Sequence, residues 1–174
     1  MEPAQLQLLL QALSSSAIAA GLIYTAVQFR KQRNAQHVAN FTKLVEMQMH
    51  LREMRVKEPA LAEVYPNDLV FADGLPLPER ERAIRMYFFN LMQLSVFEVV
   101  WFGWKKGQIP DDYFRSWERR MQDVVSERSF RIMWNSPSMK FMHDAFYDYM
   151  KQTMDAVPER PHPGDQSLRN PHAR

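Results

Sequence analysis

One carboxylate lies within an apolar stretch of the sequence and is the first residue to consider for chemistry. Glu98 is surrounded by large apolar side chains over residues 86–104. A carboxylate in such surroundings is costly unless it is paired, and a perturbed buried acid can act as a general acid or base. The alternative is a structural ion pair with an arginine of a neighbouring helix, such as Arg119, Arg120 or Arg128. We favour the structural pair, because ion pairs commonly explain such positions.

The other ionisable residues form no recognisable catalytic or metal-binding pattern. The histidines are dispersed along the chain: His37, His50, His143, His162 and His172. They do not cluster as the ligands of a helical metal site do. Asp111-Asp112 is typical of a helix start, and Asp144 and Asp148 are typical of a solvated helix face. We therefore predict no catalytic residues, no metal and no cofactor.

The chain is organised around an uncharged stretch, residues 3–29, between Glu2 and Arg30. The hydrocarbon core of a bilayer requires about 20 apolar residues in a helix, and Leu8–Val27 supplies them, with Gln11 and three serines as interruptions. A helix satisfies its own backbone, and serine hydroxyls can donate to carbonyls one turn earlier. The sequence thus predicts one transmembrane helix.

Two other interpretations of the uncharged stretch stay open. A buried helix of a soluble protein is one, although such a helix rarely lacks charge on every face over this length. A secretory signal peptide is the other, since Ala17-Ile18-Ala19 resembles a cleavage site. The positive charge expected before the apolar region of a signal peptide is missing, however, because only the amino terminus and Glu2 precede it.

Basic residues flank the uncharged stretch on one side only. Arg30, Lys31 and Arg33 follow it, and no lysine or arginine precedes it. The positive-inside rule then places the N-terminus outside and residues 30–174 in the cytoplasm. The predicted location is the inner (cytoplasmic) membrane, with a single span.

Small residues repeat within the predicted span at Ala17, Gly21 and Thr25. Residues four apart share a helix face, and small side chains allow two helix backbones to approach closely. This ridge makes a homo-oligomer, or pairing with another membrane protein, a hypothesis. Ordinary use of small residues in a membrane helix would produce the same pattern.

The charge is unevenly distributed along the 174 residues. Residues 30–57 carry seven basic and two acidic residues, 7 − 2 = +5, whereas residues 58–155 carry twelve basic and fifteen acidic ones, 12 − 15 = −3. Anionic lipid would attract the basic segment by about 1 kcal/mol per residue near the surface. No nucleic-acid recognition motif accompanies it, so we predict anionic lipid as the partner and not nucleic acid. Cysteine is absent, which excludes disulfides.

The periodicity of the chain predicts an all-α fold, with a transmembrane helix followed by a cytoplasmic bundle of four or five helices. Scarce glycine also favours helices over a sheet with many tight turns. We predict an anchor at 1–29, a basic membrane-proximal helix at 30–57, a helical domain at 58–155 and a disordered tail at 156–174. Within these units the predicted segments are an unbroken helix from 28 to 56, a helical turn at 60–64, a loop at 66–78, and helices at 78–105, from 110, at 129–134 and at 138–154.

Several apolar faces follow from the same spacing. In the basic helix, one face is predicted to hold Val38, Phe41, Leu44, Val45, Gln48, Leu51 and Met54. The last helix is predicted to pack Phe141, Met142, Ala145, Phe146 and Tyr149. The tryptophans and methionines between Trp101 and Met154 are expected to fill the core. The alternative is a methionine-rich groove for a partner's helix.

The order of these features resembles that of known proteins. The junction LIYTAVQFRKQRNAQ, the run FFNLMQLSVFEVVWFGWKKGQIPDDYFRSWERRM and the segment FRIMWNSPSMKFMHDAF are similar to small bacterial single-pass membrane proteins of uncharacterised, domain-of-unknown-function families. The resemblance covers about residues 15–150. It implies membrane attachment and a helical cytoplasmic domain, and it implies no activity and no catalytic residue.

The sequence does not specify a biological process. Our leading hypothesis is a non-enzymatic interaction module, held at the cytoplasmic face of the membrane, that binds another protein or itself. The alternative is a membrane-surface enzyme or small-ligand sensor with a pocket around Glu98 and Asn90. A structural subunit of a larger membrane complex would show the same sequence features as the first hypothesis.

Overall fold

The computed structural model describes residues 2–64, 66–136 and 142–161, without the side chains of residues 66–68. Over these ranges the chain is all-helical, as predicted, and contains no strand. The α-helices are α1 (Pro3–Lys57), α2 (Leu77–Lys105), α3 (Asp111–Val125), α4 (Arg128–Asn135) and α5 (Asp144–Ala156), and two 3-10 helices span Pro59–Val64 and Pro66–Ala72.

Helix α1 is continuous over 55 residues, which confirms the predicted absence of a break after the uncharged stretch. Proline occurs only at its first position, where the missing N–H is harmless, and a capping box joins Glu2 and Gln5. Residues 3–33 are exposed throughout, and the most apolar window of the helix is 0% buried. Only the second half of α1 therefore belongs to the bundle.

Helices α1 and α2 pack side by side in opposite directions. Successive contacts along the pair are Asn34 with Lys106, Phe41 with Phe102, Arg52 with Leu91, and Val56 with Arg85. As a result, α2 ends at the level where α1 enters the bundle. The turn after α2 lies there too, and Gly107 adopts a φ of 70°, which favours glycine at the end of a helix.

The predicted apolar face of α1 is correct in part. Six residues that are buried or half-buried along α1 are spaced alternately four and three apart: Asn34, Val38, Phe41, Val45, Gln48 and Arg52. Leu44, Leu51 and Met54 are 67%, 59% and 43% exposed, so their predicted place on this face is wrong. A helix pair buries a narrow seam with this spacing, and both leucines lie to one side of it. With Met47 and Met54 they form a second apolar line, here called the outer stripe.

The segment between α1 and α2 differs from its prediction. A loop is predicted over residues 66–78, but Pro66–Ala72 form a 3-10 helix. Two apolar residues of this helix are buried, and Phe71 stacks on Tyr87 with ring centroids 4.5 Å apart. Packing against α2 therefore orders a segment whose prolines suggest a loop. A turn at Asp73-Gly74 follows this helix.

Helix α2 is the centre of the core, with α3, α4 and α5 packed against it or against each other. The largest fully buried side chains are Leu69, Met121, Val125, Phe130, Met133, Phe146 and Met150. Trp101 and Trp134 are buried, and Trp104 and Trp117 are half-buried. The expectation that tryptophan and methionine fill the core is thus confirmed for these residues, and the hypothesis of a methionine-rich groove on the last two helices loses its basis. Met139 lies outside the described residues.

The predicted start of the last helix, at Ser138, is wrong. Met142 and His143 are not helical, and α5 begins at Asp144. The His143 side chain accepts a hydrogen bond from the backbone N–H of Ala145 (3.2 Å) and so caps the helix. Ala145, predicted to pack, is exposed. Ser138 and Phe141 lie outside the described residues.

After α5 the chain stays attached to the bundle for a few residues. The backbone N–H of Arg160 donates to the carbonyl of Ser126 (2.7 Å), and its guanidinium pairs with Glu127. Arg131 of α4 donates to the carbonyl of Val125 (2.8 Å) and to that of Met154 (3.2 Å). These bonds satisfy carbonyls at the ends of α3 and α5. The remainder of the predicted tail, residues 162–174, lies outside the described residues.

Candidate functional site

Glu98 lies in the core, 5% exposed, about two turns before the end of α2. One carboxylate oxygen accepts a hydrogen bond from the backbone N–H of His143 (2.6 Å). None of the three arginines named from the sequence, Arg119, Arg120 and Arg128, forms an ion pair with it within the described ranges. That part of the prediction is wrong. The carboxylate instead holds the chain where α5 begins.

The basic side chain that acts on Glu98 comes from α1. Arg52 donates to the carbonyl of Leu91 (3.0 Å) and to the hydroxyl of Ser95, one turn before Glu98. Burial lowers the pKa of the Arg52 guanidinium, and the Glu98 charge opposes that shift. The polar cluster of Arg52, Ser95, Glu98 and the His143 N–H therefore joins α1, α2 and α5. Sequence reasoning missed Arg52, because it lies in the segment expected to face lipid.

Burial raises the pKa of Glu98, while the His143 N–H and the charges of His143 and Arg52 act in the opposite direction. The carboxylate is engaged by the protein itself. Asn90, the other polar residue expected in a core pocket, lines a surface cleft with Arg120, Glu127 and Arg160, and Glu98 does not line that cleft. The geometry gives no support to a ligand pocket around Glu98.

The polar cluster can be tested through pH. Because the folded-state pKa of Glu98 lies above its unfolded value, the ionised form destabilises the fold, and stability should rise as the pH falls through the folded pKa towards about 4.3. Glu98→Gln should remove this contribution and retain an acceptor for His143. Glu98→Ala should cost about 1–3 kcal/mol at pH 7, because it removes the hydrogen bond between the His143 N–H and a charged acceptor.

Thermal unfolding of the full chain in detergent, followed by circular dichroism at pH 5 and pH 7, measures both effects. Glu46→Ala is the matched control, since Glu46 is an exposed acid paired only with Lys43, and it should change stability by less than about 1 kcal/mol. An alanine variant at position 98 as stable as the wild type would show that the cluster does not hold α5.

No group of three or more histidine, aspartate or glutamate side chains is arranged to hold a metal ion in the part of the chain that the structure describes. His37 and His50 lie on α1, and His143 caps α5. The acids Asp111 and Asp144 lie in the first turns of α3 and α5, where they are favourable near the positive helix end.

The second site is electrostatic and lies where α1 enters the bundle. The cations predicted to be membrane-proximal, Arg30, Lys31 and Arg33, are exposed on α1. The fold brings Lys105 and Lys106 to the same level, as the hydrogen bond from the Asn34 amide to the Lys106 carbonyl (3.5 Å) shows. We call these five cations the basic end. The sequence marked the two lysines only as the end of a helix, because 72 residues separate Asn34 from Lys106.

The cations of the basic end differ from the other lysines in their partners. Lys43 pairs with Glu46, Lys57 with Glu53 and Lys151 with Asp155, at 3.4, 2.6 and 2.7 Å. No cation of the basic end has a carboxylate within ion-pair distance among the residues described. Lys105 Nζ instead lies 4.8 Å from the ring centroid of Trp104, and Lys106 Nζ lies 5.3 Å from that of Phe102.

The anchor ridge predicted at Ala17, Gly21 and Thr25 lies on the exposed half of α1. The Thr25 hydroxyl donates to the Gly21 carbonyl (2.8 Å), so the polar group is satisfied within the helix. A side chain at Gly21 would meet no atom within 4 Å. The ridge is therefore open to a second helix, and all three of its residues are exposed in the part of the chain that the structure describes.

No protein-family model matches the chain, and neither the curated proteins nor the solved structures include a significant match.

Proposed function

We propose that this chain is a single-pass membrane protein that holds a helical interaction module at the cytoplasmic face of the inner membrane. The observation that carries the proposal is the exposed apolar half of α1. Its most apolar window is 0% buried, so in water all of its apolar surface would stay hydrated. Leaving apolar surface in water costs about 25 cal/mol of free energy per Å², relative to burying it. A bilayer would bury it.

The contrast between the two apolar helices supports this assignment. Helix α2 is also long and apolar enough to cross a membrane, but 56% of its window is buried inside the bundle. Helix α2 thus has the burial expected of a core helix in a soluble domain. The first half of α1 has no such protein partner, and the cations that follow it favour a cytoplasmic bundle by the positive-inside rule.

Membrane attachment and orientation can be tested together. A chain with a C-terminal reporter should stay in the pelleted membranes after washing at high pH, and the reporter should be active only in the cytoplasm. A chain released by the wash would refute the anchor. A reporter active only outside the cytoplasm would refute the orientation and leave the anchor in place.

The outer stripe supports the interaction part of the proposal. Leu44, Met47, Leu51 and Met54 lie along one line of α1, exposed, with the alternating spacing of a helix–helix seam. If the outer stripes of two copies packed in parallel, His50 would lie opposite Arg55, and Lys43 opposite Gln48. Neither pair is an ion pair, so the residues that flank the stripe do not favour a second copy. The occupant we propose is an amphipathic helix of another protein, with apolar residues flanked by aspartate or glutamate.

A photo-crosslinking amino acid at position 51, on the outer stripe, would test this occupant in native membranes. The matched control is position 46, on the charged face of the same helix. Adducts specific to position 51 should map by mass spectrometry to an acid-flanked apolar helix. Adducts to the chain itself would replace the proposed partner with a second copy, and a lack of specific adducts would refute docking at the outer stripe.

The anchor ridge allows a separate prediction. Gly21→Ile should leave the monomer intact, because the position is open in the structure, and it should block close approach of a second helix at the ridge. If the ridge mediates self-association, the yield of crosslinked dimer in membranes should fall several-fold. Isoleucine at Leu22, which is on another face, is the control. A dimer yield equal to that of the wild type would remove the ridge as an interface.

A further inference from the structure

A cleft between α1 and the turn after α2 has the composition of an anion-binding site. Its volume is about 820 Å³. The polar residues that line it are two lysines and four amides: Lys31, Lys106, Gln28, Gln32, Asn34 and Gln108. No carboxylate lines it. Ammonium groups and amide N–H groups are hydrogen-bond donors, so the lining can bind phosphate oxygens, and the amide oxygens can accept from hydroxyl groups.

The positive charge around this cleft is only partly neutralised by the protein. The basic end contributes five cations. The acids nearest along the chain are Asp111 and Asp112 at the start of α3, and Asp148 of α5 lines a neighbouring cleft with Lys105 and Lys106, so the balance is 5 − 3 = +2. One of these acids is already engaged, since Asp111 accepts a hydrogen bond from the Trp104 indole N–H (2.8 Å). Charges act together where they lie within the screening length, about 8 Å at physiological salt.

The position of the cleft along α1 matches the headgroup layer of a membrane. The cleft extends over residues 28–35 of α1, and the uncharged stretch ends at residue 29. Eight helical residues span roughly 12 Å. The polar layer on each side of the hydrocarbon core is about 5–8 Å thick. A helix that crosses the membrane with the uncharged stretch would therefore place the cleft in and just below that layer.

We propose that this cleft binds the phosphodiester headgroup of an anionic membrane lipid and so holds the bundle against the membrane. Lys31 of α1 and Lys106, which directly follows α2, bind the phosphate from two sides, and the amides bind hydroxyl groups of the headgroup. The inference rests on the proposed membrane anchor. The basic segment of α1 could not form this site alone, because one of the two lysines that line the cleft, Lys106, lies at the end of α2.

The test uses the full chain in uncharged detergent micelles, titrated with dioctanoyl phosphatidylglycerol. Tryptophan fluorescence reports binding, because Lys105 lies over the Trp104 ring near the cleft. Lys31→Gln with Lys106→Gln should weaken binding by about thirtyfold, since each basic residue near an anionic surface contributes roughly fivefold. Lys43→Gln with Lys57→Gln removes the same charge from ion-paired positions and should leave binding within about twofold.

Two further measurements make the outcomes decisive. Lys31→Arg with Lys106→Arg keeps the charge and should restore binding, which separates a site from a folding defect. Dioctanoyl phosphatidylcholine and inorganic phosphate should each give no saturable response in the same range. Equal binding by the two double glutamine variants, or an equal response to phosphatidylcholine, would overturn the proposal.

Saturation by inorganic phosphate alone would identify a soluble anion as the ligand. The micelle assay does not depend on where the chain is located in the cell. A negative result in micelles would therefore refute the lipid site, whereas release by the membrane wash would refute the anchor.

Discussion

Arginine at both Ile18 and Leu22 is expected to release the chain from membranes. The two residues lie near the middle of the uncharged stretch and are 65% and 67% exposed, without contact to the bundle. Each arginine at the centre of a membrane helix costs about 3 kcal/mol. The two together should outweigh the favourable insertion of a stretch that already contains Gln11 and three serines. The fraction of chain that pellets with membranes after a wash at high pH should fall from nearly all to a minor share.

The same helix provides a close control. Leu44 and Leu51 are as exposed as Ile18 and Leu22 and lie on α1, so arginine at both positions adds the same charge with a similar effect on helix propensity. That variant should stay in the membrane fraction, because the substituted positions lie beyond the proposed span. If both double variants pellet equally, the exposed half of α1 does not hold the chain in the membrane.

Phe146→Ala is expected to unfold much of the bundle and to leave membrane attachment unchanged. Phe146 is fully buried on α5, and its ring centroid lies 5.7 Å from that of Trp101 on α2. Removing a buried phenylalanine side chain costs about 3–5 kcal/mol, a large share of the 5–15 kcal/mol that typically stabilises a domain. Limited proteolysis in isolated membranes should cleave the variant much faster than the wild type, while both pellet alike.

Phe89→Ala is the matched control, since Phe89 is half-exposed on α2 and its loss should cost less than about 1 kcal/mol. Release of the Phe146→Ala chain from membranes would show that the bundle contributes to attachment, contrary to the division into anchor and module. Resistance to protease equal to that of the wild type would show that α5 is not part of the stabilising core.

Local signals in the sequence predicted most of the helical boundaries. The helix predicted from residue 110 begins at Asp111, and the helix predicted to end at residue 105 ends there. The wrong boundaries lie where contacts between distant parts of the chain determine the local structure. Pro66–Ala72 is helical because it packs on α2. The start of α5 is set by a bond from His143 to Glu98, 45 residues earlier in the chain.

For the candidate sites, too, the sequence predicts local features but not the contacts between distant residues. The position of Glu98 in the core follows from its apolar surroundings, and the structure agrees. Its partners do not follow, because the pairing of α1 with α2 depends on which line of α1 is buried. That choice also brings Arg52 near the polar cluster and leaves Leu44 and Leu51 exposed. The contribution of Lys106 to the basic end depends on the antiparallel return of α2, which no local pattern encodes.

The continuity of α1 has a mechanical consequence. No proline follows Pro3 and no glycine other than Gly21 interrupts the helix, so the uncharged stretch and the first helix of the bundle behave as one stiff rod. About 40 Å of this rod lies beyond Arg30, and a 20° tilt would swing its far end sideways by roughly 14 Å. Rotation of the rod about its long axis would turn the bundle through the same angle. Any force that tilts or rotates this helix in a bilayer would be transmitted to α2–α5 without loss at a hinge.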